Sequence, residues 1–194
     1  MRALGAFVIA VAVVGNAALA GAITPPCNLK SENHFGFGLV MNLPKQWLGF
    51  SFFGTRPNQV SLYIDMKTTI PMEYGGDYLY HNISVAQAEE WNDPLQEEHS
   101  TWISLNVGLT KVLSSRVAGY VAVGYAGFTT YRNYYDEFQI LGDRGSYWVE
   151  AENSSFINGL AGLLITAGRN WGIQVGGEAV PRGVTLGAFW TPAR

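Results

Sequence analysis

The sequence has little of what soluble folds and common active sites depend on. Cys27 is the only cysteine, which excludes an internal disulfide framework. Charged residues make up 14% of the chain, whereas soluble domains average about a quarter. The net charge is −3 and no basic stripe occurs, which argues against nucleic acid as a partner. What remains is a charge-poor chain with 13% aromatic residues and 23 glycines.

The motifs of common catalytic and ligand sites are also missing. No glycine-rich run leads into Lys-Ser or Lys-Thr, as a phosphate loop requires. The histidines, His34, His81 and His99, lack the spacing of a metal site. We therefore predict no catalytic residue, no cofactor and no metal ligand, and the sequence does not identify a small-molecule ligand.

The N-terminus is typical of a secretory signal peptide, which we place at residues 1–22. Met1-Arg2 is basic, an apolar run from Ala3 to Val14 follows, and small residues permit cleavage after Ala20 or Ala22. Residues 23–33 are predicted as an N-terminal tail that carries Cys27 as a free thiol on a mobile segment. Beyond residue 22 no apolar run approaches the ~20 residues of a membrane helix, so any membrane span must use strands.

Polar and apolar residues alternate over much of the chain, as half-buried strands require. In the segment 60–67 the apolar residues occupy the even positions, and Ser61, Tyr63, Asp65 and Lys67 occupy the odd ones. Segments 117–129 and 155–166 are apolar or small on both phases, so their faces are not assigned. The predicted strands are 35–39, 48–52, 60–67, 101–110, 117–129, 155–166, 171–179 and 184–190.

The connections between these strands differ in length and in charge. Short turns are predicted at 54–58, 113–116 and 168–170, and long loops at about 69–99 and 130–153. A short helix is predicted from a capping box at Ser84 and Gln87 to about Trp91. The first loop has no Lys or Arg and seven acidic residues, which are Glu73, Asp77, Glu89, Glu90, Asp93, Glu97 and Glu98. Basic residues mark the short turns, namely Arg56, Lys111, Arg116 and Arg169.

These patterns predict an all-β fold, an eight-stranded antiparallel up-and-down transmembrane β-barrel over residues 34–190. Closure removes the exposed strand edges that hydrocarbon does not tolerate. Apolar faces would contact lipid and polar faces would fill a narrow interior. The predicted polar network of the lumen is Tyr63, Asp65, Lys67, Asn106, Gln174 and Glu178, with Lys67 paired to Asp65 or Glu178. The predicted interfacial aromatic girdles include Trp47, Phe53, Trp102, Trp171 and Trp190.

From His34 to Trp190 the chain resembles the small single-chain outer-membrane β-barrel proteins of the OmpX/OmpW-like group. The resemblance includes the last strand, 183–190, although such families usually end on an aromatic residue and here a C-terminal tail, 191–194, follows Trp190. It implies location in the outer membrane of a Gram-negative bacterium after signal cleavage. It also implies contact with outer-membrane lipid and lipopolysaccharide, and recognition of the last strand by the barrel assembly machinery.

Three functions remain open at this point. The first is a non-enzymatic protein with a structural or surface-contacting role, a plugged lumen and long acidic loops outside the cell. The second is a soluble periplasmic barrel of lipocalin type, in which Val60, Leu62, Ile64 and Met66 would line an apolar cavity. The third is a lipid A-modifying acyl enzyme that would use His81, Ser84 and an acidic residue of the first loop.

Overall fold

The computed structural model describes residues 27–43, 47–69 and 78–192. The predicted signal peptide, Glu73, Asp77 and the last two residues lie outside these ranges. One helix, α1, spans Val85–Glu90. The strands are β1 His34–Leu43, β2 Trp47–Thr55, β3 Val60–Thr69, β4 Tyr78–Tyr80, β5 Leu95–Val112, β6 Val117–Tyr135, β7 Ser146–Thr166, β8 Trp171–Ala179 and β9 Arg182–Trp190.

Eight of these strands form a closed antiparallel barrel in the order β1-β2-β3-β5-β6-β7-β8-β9. Pairing of β9 with β1, from Phe37 opposite Trp190 to Leu43 opposite Val184, completes the ring. β4 lies outside the ring and pairs in parallel with β7. The predicted eight-stranded up-and-down barrel is therefore confirmed. No helix in the described part of the chain is long and apolar enough to cross a membrane.

The strand alternation fixes which side chains face the barrel interior. On β3, Tyr63, Asp65 and Lys67 are buried, whereas Leu62 and Met66 are about half exposed. The interior is narrow, and glycines make room for its larger rings. Gly176 on β8 faces the Tyr120 hydroxyl of β6, and a Cβ atom at that glycine would collide with it.

Three strands extend well beyond the ring at the end that carries the long connections. The β3–β5 pairing ends at Thr68 and Ile103, but β5 begins at Leu95. β6 and β7 continue with β5 as a sheet, so their connection is only residues 136–145 rather than the predicted 130–153. We call this part of β5, β6 and β7 the sheet extension.

Helix α1 and β4 pack on the sheet extension around a small apolar cluster. Ile83 and Ala88 are buried there against Tyr134, Tyr147 and Val149. The predicted helix is confirmed. The Ser84 side chain accepts a hydrogen bond from the Gln87 backbone amide, and the Gln87 side chain accepts one from the Ser84 amide in return.

The opposite end of the barrel carries the short turns and both ends of the described chain. There the N-terminal segment, residues 27–33, lies across the barrel mouth. The Cys27 amide donates to the Gly168 carbonyl at 3.2 Å and the Leu29 amide to the Ser115 carbonyl at 2.9 Å. Cys27 and Leu29 are 9% and 2% exposed. The prediction of Cys27 as a free thiol on a mobile tail is therefore wrong in its second part, because turn residues distant in sequence bind this segment.

Candidate functional site

The interior of the barrel holds the main concentration of buried polar groups. All six side chains predicted for the lumen lie there, each between 0% and 5% exposed. They come from three strands, and the structure brings them into one hydrogen-bonded set. Those on β3 are Tyr63, Asp65 and Lys67, that on β5 is Asn106, and those on β8 are Gln174 and Glu178. We call this set the inner polar network.

Lys67 lies at the centre of the inner polar network. Its Nζ atom is 2.5 Å from Oδ1 of Asp65 and 3.2 Å from Oε2 of Glu178. Asn106 Nδ2 donates to the same Asp65 oxygen at 3.2 Å, and the Tyr63 hydroxyl donates to Oδ2 at 3.4 Å. Buried charges persist when they are paired and hydrogen-bonded, and this arrangement meets both conditions.

Four further side chains complete the network, and the sequence reasoning missed them. The amide groups of Asn42 on β1 and Asn158 on β7 each donate to Glu178 at 2.7 Å. Ser51 on β2 donates to Gln174 at 2.9 Å, and Thr185 on β9 donates to Glu178 at 3.5 Å. With these contacts the network joins β1, β2, β3, β5, β7, β8 and β9.

Two reasons explain why those residues were missed. Asn42 follows the predicted end of its strand at residue 39, and Asn158 lies in a segment whose faces the sequence did not assign. Ser51 and Thr185 do lie on correctly predicted strands. The sequence did contain a signal for Ser51. Its neighbours Phe50 and Phe52 are apolar and face outward, so the alternation places the Ser51 side chain on the other face of the strand, towards the interior.

Aromatic rings bound the charged groups of the inner polar network at both ends of the barrel. Towards the short turns, Tyr63 stacks on Tyr120 of β6 with ring centres 4.5 Å apart. Towards the long connections, Trp102 contacts Trp47 at 5.1 Å and Phe128 at 4.4 Å. These rings limit access to the charged groups from either end.

The predicted interfacial girdle is therefore wrong for part of its members. Trp47 is fully buried, and Phe53 is 2% exposed with its ring edge against Phe189. Trp102 lies on the inward phase of β5 with Asn106. Trp190, in contrast, is 53% exposed at the end of β9. Aromatic composition alone did not distinguish rings that fill a glycine-lined interior from rings on the outer surface.

The outer surface of the barrel is apolar around its whole circumference. Every strand of the ring contributes exposed apolar side chains, including Leu39, Phe50, Leu62, Leu105, Val123, Leu163, Ile173 and Val184, each 41–61% exposed. We call this surface the apolar belt. The lipocalin-type alternative required Val60, Leu62, Ile64 and Met66 to line an internal cavity. Val60, Leu62 and Met66 are 48–56% exposed outside, which contradicts that alternative.

The long-connection end contains a polar cleft of about 360 Å³ that includes two residues of the enzymatic hypothesis. His81 and Ser84 both line it, together with Glu150. The Ser84 hydroxyl, however, lies 3.1 Å from Oε1 of Gln87 as part of the α1 cap. Among the described residues no group of three His, Cys, Asp or Glu side chains is arranged to hold a metal ion.

The 136–145 connection is held by one carboxylate. Asp136 accepts hydrogen bonds from the backbone amides of Phe138 at 2.8 Å, Ile140 at 2.7 Å and Leu141 at 2.9 Å. Burial acts to raise the pKa of Asp136, but these backbone donors outweigh it and lower the pKa below its usual value. The loop so fixed presents Phe138 and Ile140, which are 84% and 80% exposed.

The structure is similar to several solved β-barrels. The Ail attachment invasion locus protein of Yersinia pestis is 14% identical with a TM-score of 0.43, and the match covers 82% of this chain and 91% of that one. The N-terminal β-barrel domain of Pseudomonas aeruginosa OprF is 14% identical with a TM-score of 0.38, over 87% of this chain and 100% of that one. No protein-family model and no curated protein sequence matches the chain.

Proposed function

We propose that this chain spans the outer membrane of a Gram-negative bacterium as a barrel with a closed lumen and a non-enzymatic, structural or surface-contacting role. The apolar belt is the observation that supports this proposal most directly. Soluble monomers rarely expose a contiguous apolar surface larger than a few hundred Å². Here such a surface surrounds all eight strands while charged side chains are buried inside, which is the distribution that hydrocarbon favours.

The proposed closure of the lumen rests on three consecutive layers. The aromatic side chains near Trp102, the inner polar network and the N-terminal segment each occupy the interior or its mouth. An eight-stranded barrel has room inside for little more than its own side chains, whereas water-filled porins use about sixteen strands. Liposomes that contain the protein should therefore not become permeable to small sugars, and a steady conductance would contradict the closure.

The long-connection end is proposed to face the cell exterior, with lipopolysaccharide as its neighbour. Among the described residues of that end, acidic side chains outnumber basic ones, and Glu89, Glu90 and Glu97 are exposed. The last strand, β9, is proposed as the segment that the barrel assembly machinery binds. A non-enzymatic role is favoured because Ser84 serves as a helix cap, and Ser84→Ala should leave lipid A acylation unchanged.

The proposal is tested by heat modifiability on isolated membranes. The expressed protein should sediment with the outer membrane, and its unboiled band should migrate faster on a detergent gel than the boiled band. That result requires a closed barrel that resists detergent. A protein that stays in the soluble periplasmic fraction and shows no shift would overturn the membrane location.

A further inference from the structure

The short-turn end of the barrel carries an excess of positive charge that the proposed function does not use. Arg56, Arg116 and Arg169 lie in the three short turns, and Lys111 lies on the outer face of β5 near the same end. All four side chains are exposed. We call them the basic collar.

No carboxylate within residues 27–43, 47–69 and 78–192 forms an ion pair with any member of the basic collar. The described residues of this end include one acidic side chain, Glu32, and the exposed Lys30 nearby offsets its charge. Within the described residues the positive charge of the collar is therefore not neutralised. Anions of the surroundings can therefore interact with the collar without competition from these carboxylates.

The basic collar directly borders the apolar belt. On β5 the half-exposed Leu109 precedes Lys111 by two residues on the same face, a step of about 7 Å along the strand. In the next turn Leu113 is 56% exposed and Arg116 follows it. Cationic side chains beside exposed apolar ones, with Trp190 exposed at the same end, are typical of the headgroup level of a bilayer.

The spacing of the collar determines what kind of anion it fits. The β2–β3, β5–β6 and β7–β8 turns lie at different positions around the ring, so their arginines do not converge on one small ligand. Each turn therefore borders a different part of the barrel circumference. A ring of separate phosphate groups matches this arrangement better than a single soluble phosphate does.

The geometry points to the basic collar as a binding site for anionic phospholipid headgroups in the leaflet at the short-turn end. This inference rests on the proposed membrane location and adds the lipid class and the side chains that select it. Charge near an anionic surface strengthens binding by up to about fivefold for each Lys or Arg, and salt reduces the effect.

The test measures lipid selectivity in bilayers of phosphatidylcholine. The folded protein is reconstituted, and electron paramagnetic resonance gives the association constant of spin-labelled phosphatidylglycerol relative to spin-labelled phosphatidylcholine. The native protein should prefer phosphatidylglycerol several-fold, and the double variant R56Q/R116Q, which removes two of the four collar cations, should lose about half of that preference. The matched control, R144Q/R182Q, removes the same charge from exposed arginines at the long-connection end and should retain it.

The outcomes separate this inference from the proposed function. A native protein that inserts but shows no preference overturns the collar and leaves the membrane location intact, whereas failure to insert into any bilayer overturns both. Equal losses in the two double variants would show a general charge effect and overturn the collar. So would displacement of the labelled lipid by inorganic phosphate beyond the effect of chloride at equal ionic strength. If R56Q/R116Q does not fold, K111Q/R169Q provides the same comparison.

Discussion

Lys67→Met removes the cation of the inner polar network while it keeps a side chain of similar length. In the native protein the Lys67 ammonium contacts two buried carboxylates, at 2.5 Å and 3.2 Å, and none of the three side chains is exposed. The variant leaves Asp65 and Glu178 without a cation in the buried interior of the barrel. Breaking a buried ion pair in this way costs about 3–5 kcal/mol.

The assay follows the faster-migrating, folded band on unboiled gels as urea increases in a fixed lipid environment. Lys67→Met should lower the free energy of unfolding by about 3–5 kcal/mol relative to the native protein. The matched control is the triple variant D65N/K67M/E178Q, which removes every charge of the set and should recover most of the loss. A Lys67→Met variant within about 1 kcal/mol of the native protein would refute the reasoning. A triple variant as unstable as the single one would attribute the loss to packing rather than charge.

Three further predictions address the ends and the outside of the barrel. Asp136→Ala should speed hydrogen exchange at residues 138–141. Because the pKa of Asp136 is lowered, the native loop should stay protected above about pH 4 and lose protection as pH falls further. Cys27 should resist maleimide in the folded protein, because burial, and to a lesser extent the charge of Glu32, raises the pKa of its thiol. Leu29→Asp should displace the N-terminal segment and let Cys27 react, and rapid labelling of the native protein would contradict the burial of Cys27. Val123→Arg should destabilise the barrel in bilayers by about 2–4 kcal/mol. Thr129→Arg, on the same strand face but nearer the membrane boundary, should cost under about 1 kcal/mol. Equal costs for the two variants would argue against burial of the apolar belt in the membrane.

The barrel could be predicted because alternation is a local signal. On β3, one polar and one apolar phase run without interruption from Val60 to Lys67, and each phase occupies one side of the sheet. Alternation does not say which side is inside. The charges of Asp65 and Lys67 favoured a polar interior, and the exposed Leu62 and Met66 agree with it.

The sequence predicted little of the sheet extension, because the two faces of this sheet differ little in polarity. Thr130 and Asn133 are buried on β6 together with Tyr134, since helix α1 and β4 cover part of this sheet. Polar and aromatic residues therefore lie side by side without a period of two. Residues 136–145 form a loop as expected, but the flanking residues continue the strands.

The N-terminal segment could not be predicted for a different reason. Seven residues are too few to show a period, and the burial of Cys27 and Leu29 depends on carbonyl groups at Gly168 and Ser115. These partners follow far later in the sequence. Only the closed ring brings the two turns next to the start of the chain.

The sheet extension also fixes how far the 136–145 connection lies from the barrel. From Phe128 to Tyr135, β6 advances at about 3.3 Å per residue, so the 136–145 connection lies roughly 25 Å beyond the last pair that β3 makes with β5. Paired backbones on both sides make this a stiff spacer rather than a tether. Phe138 and Ile140 are therefore held at a fixed distance from the barrel. Lengthening or shortening β6 and β7 together by two residues would shift them by about 7 Å along the strand direction without turning any side chain to the other face.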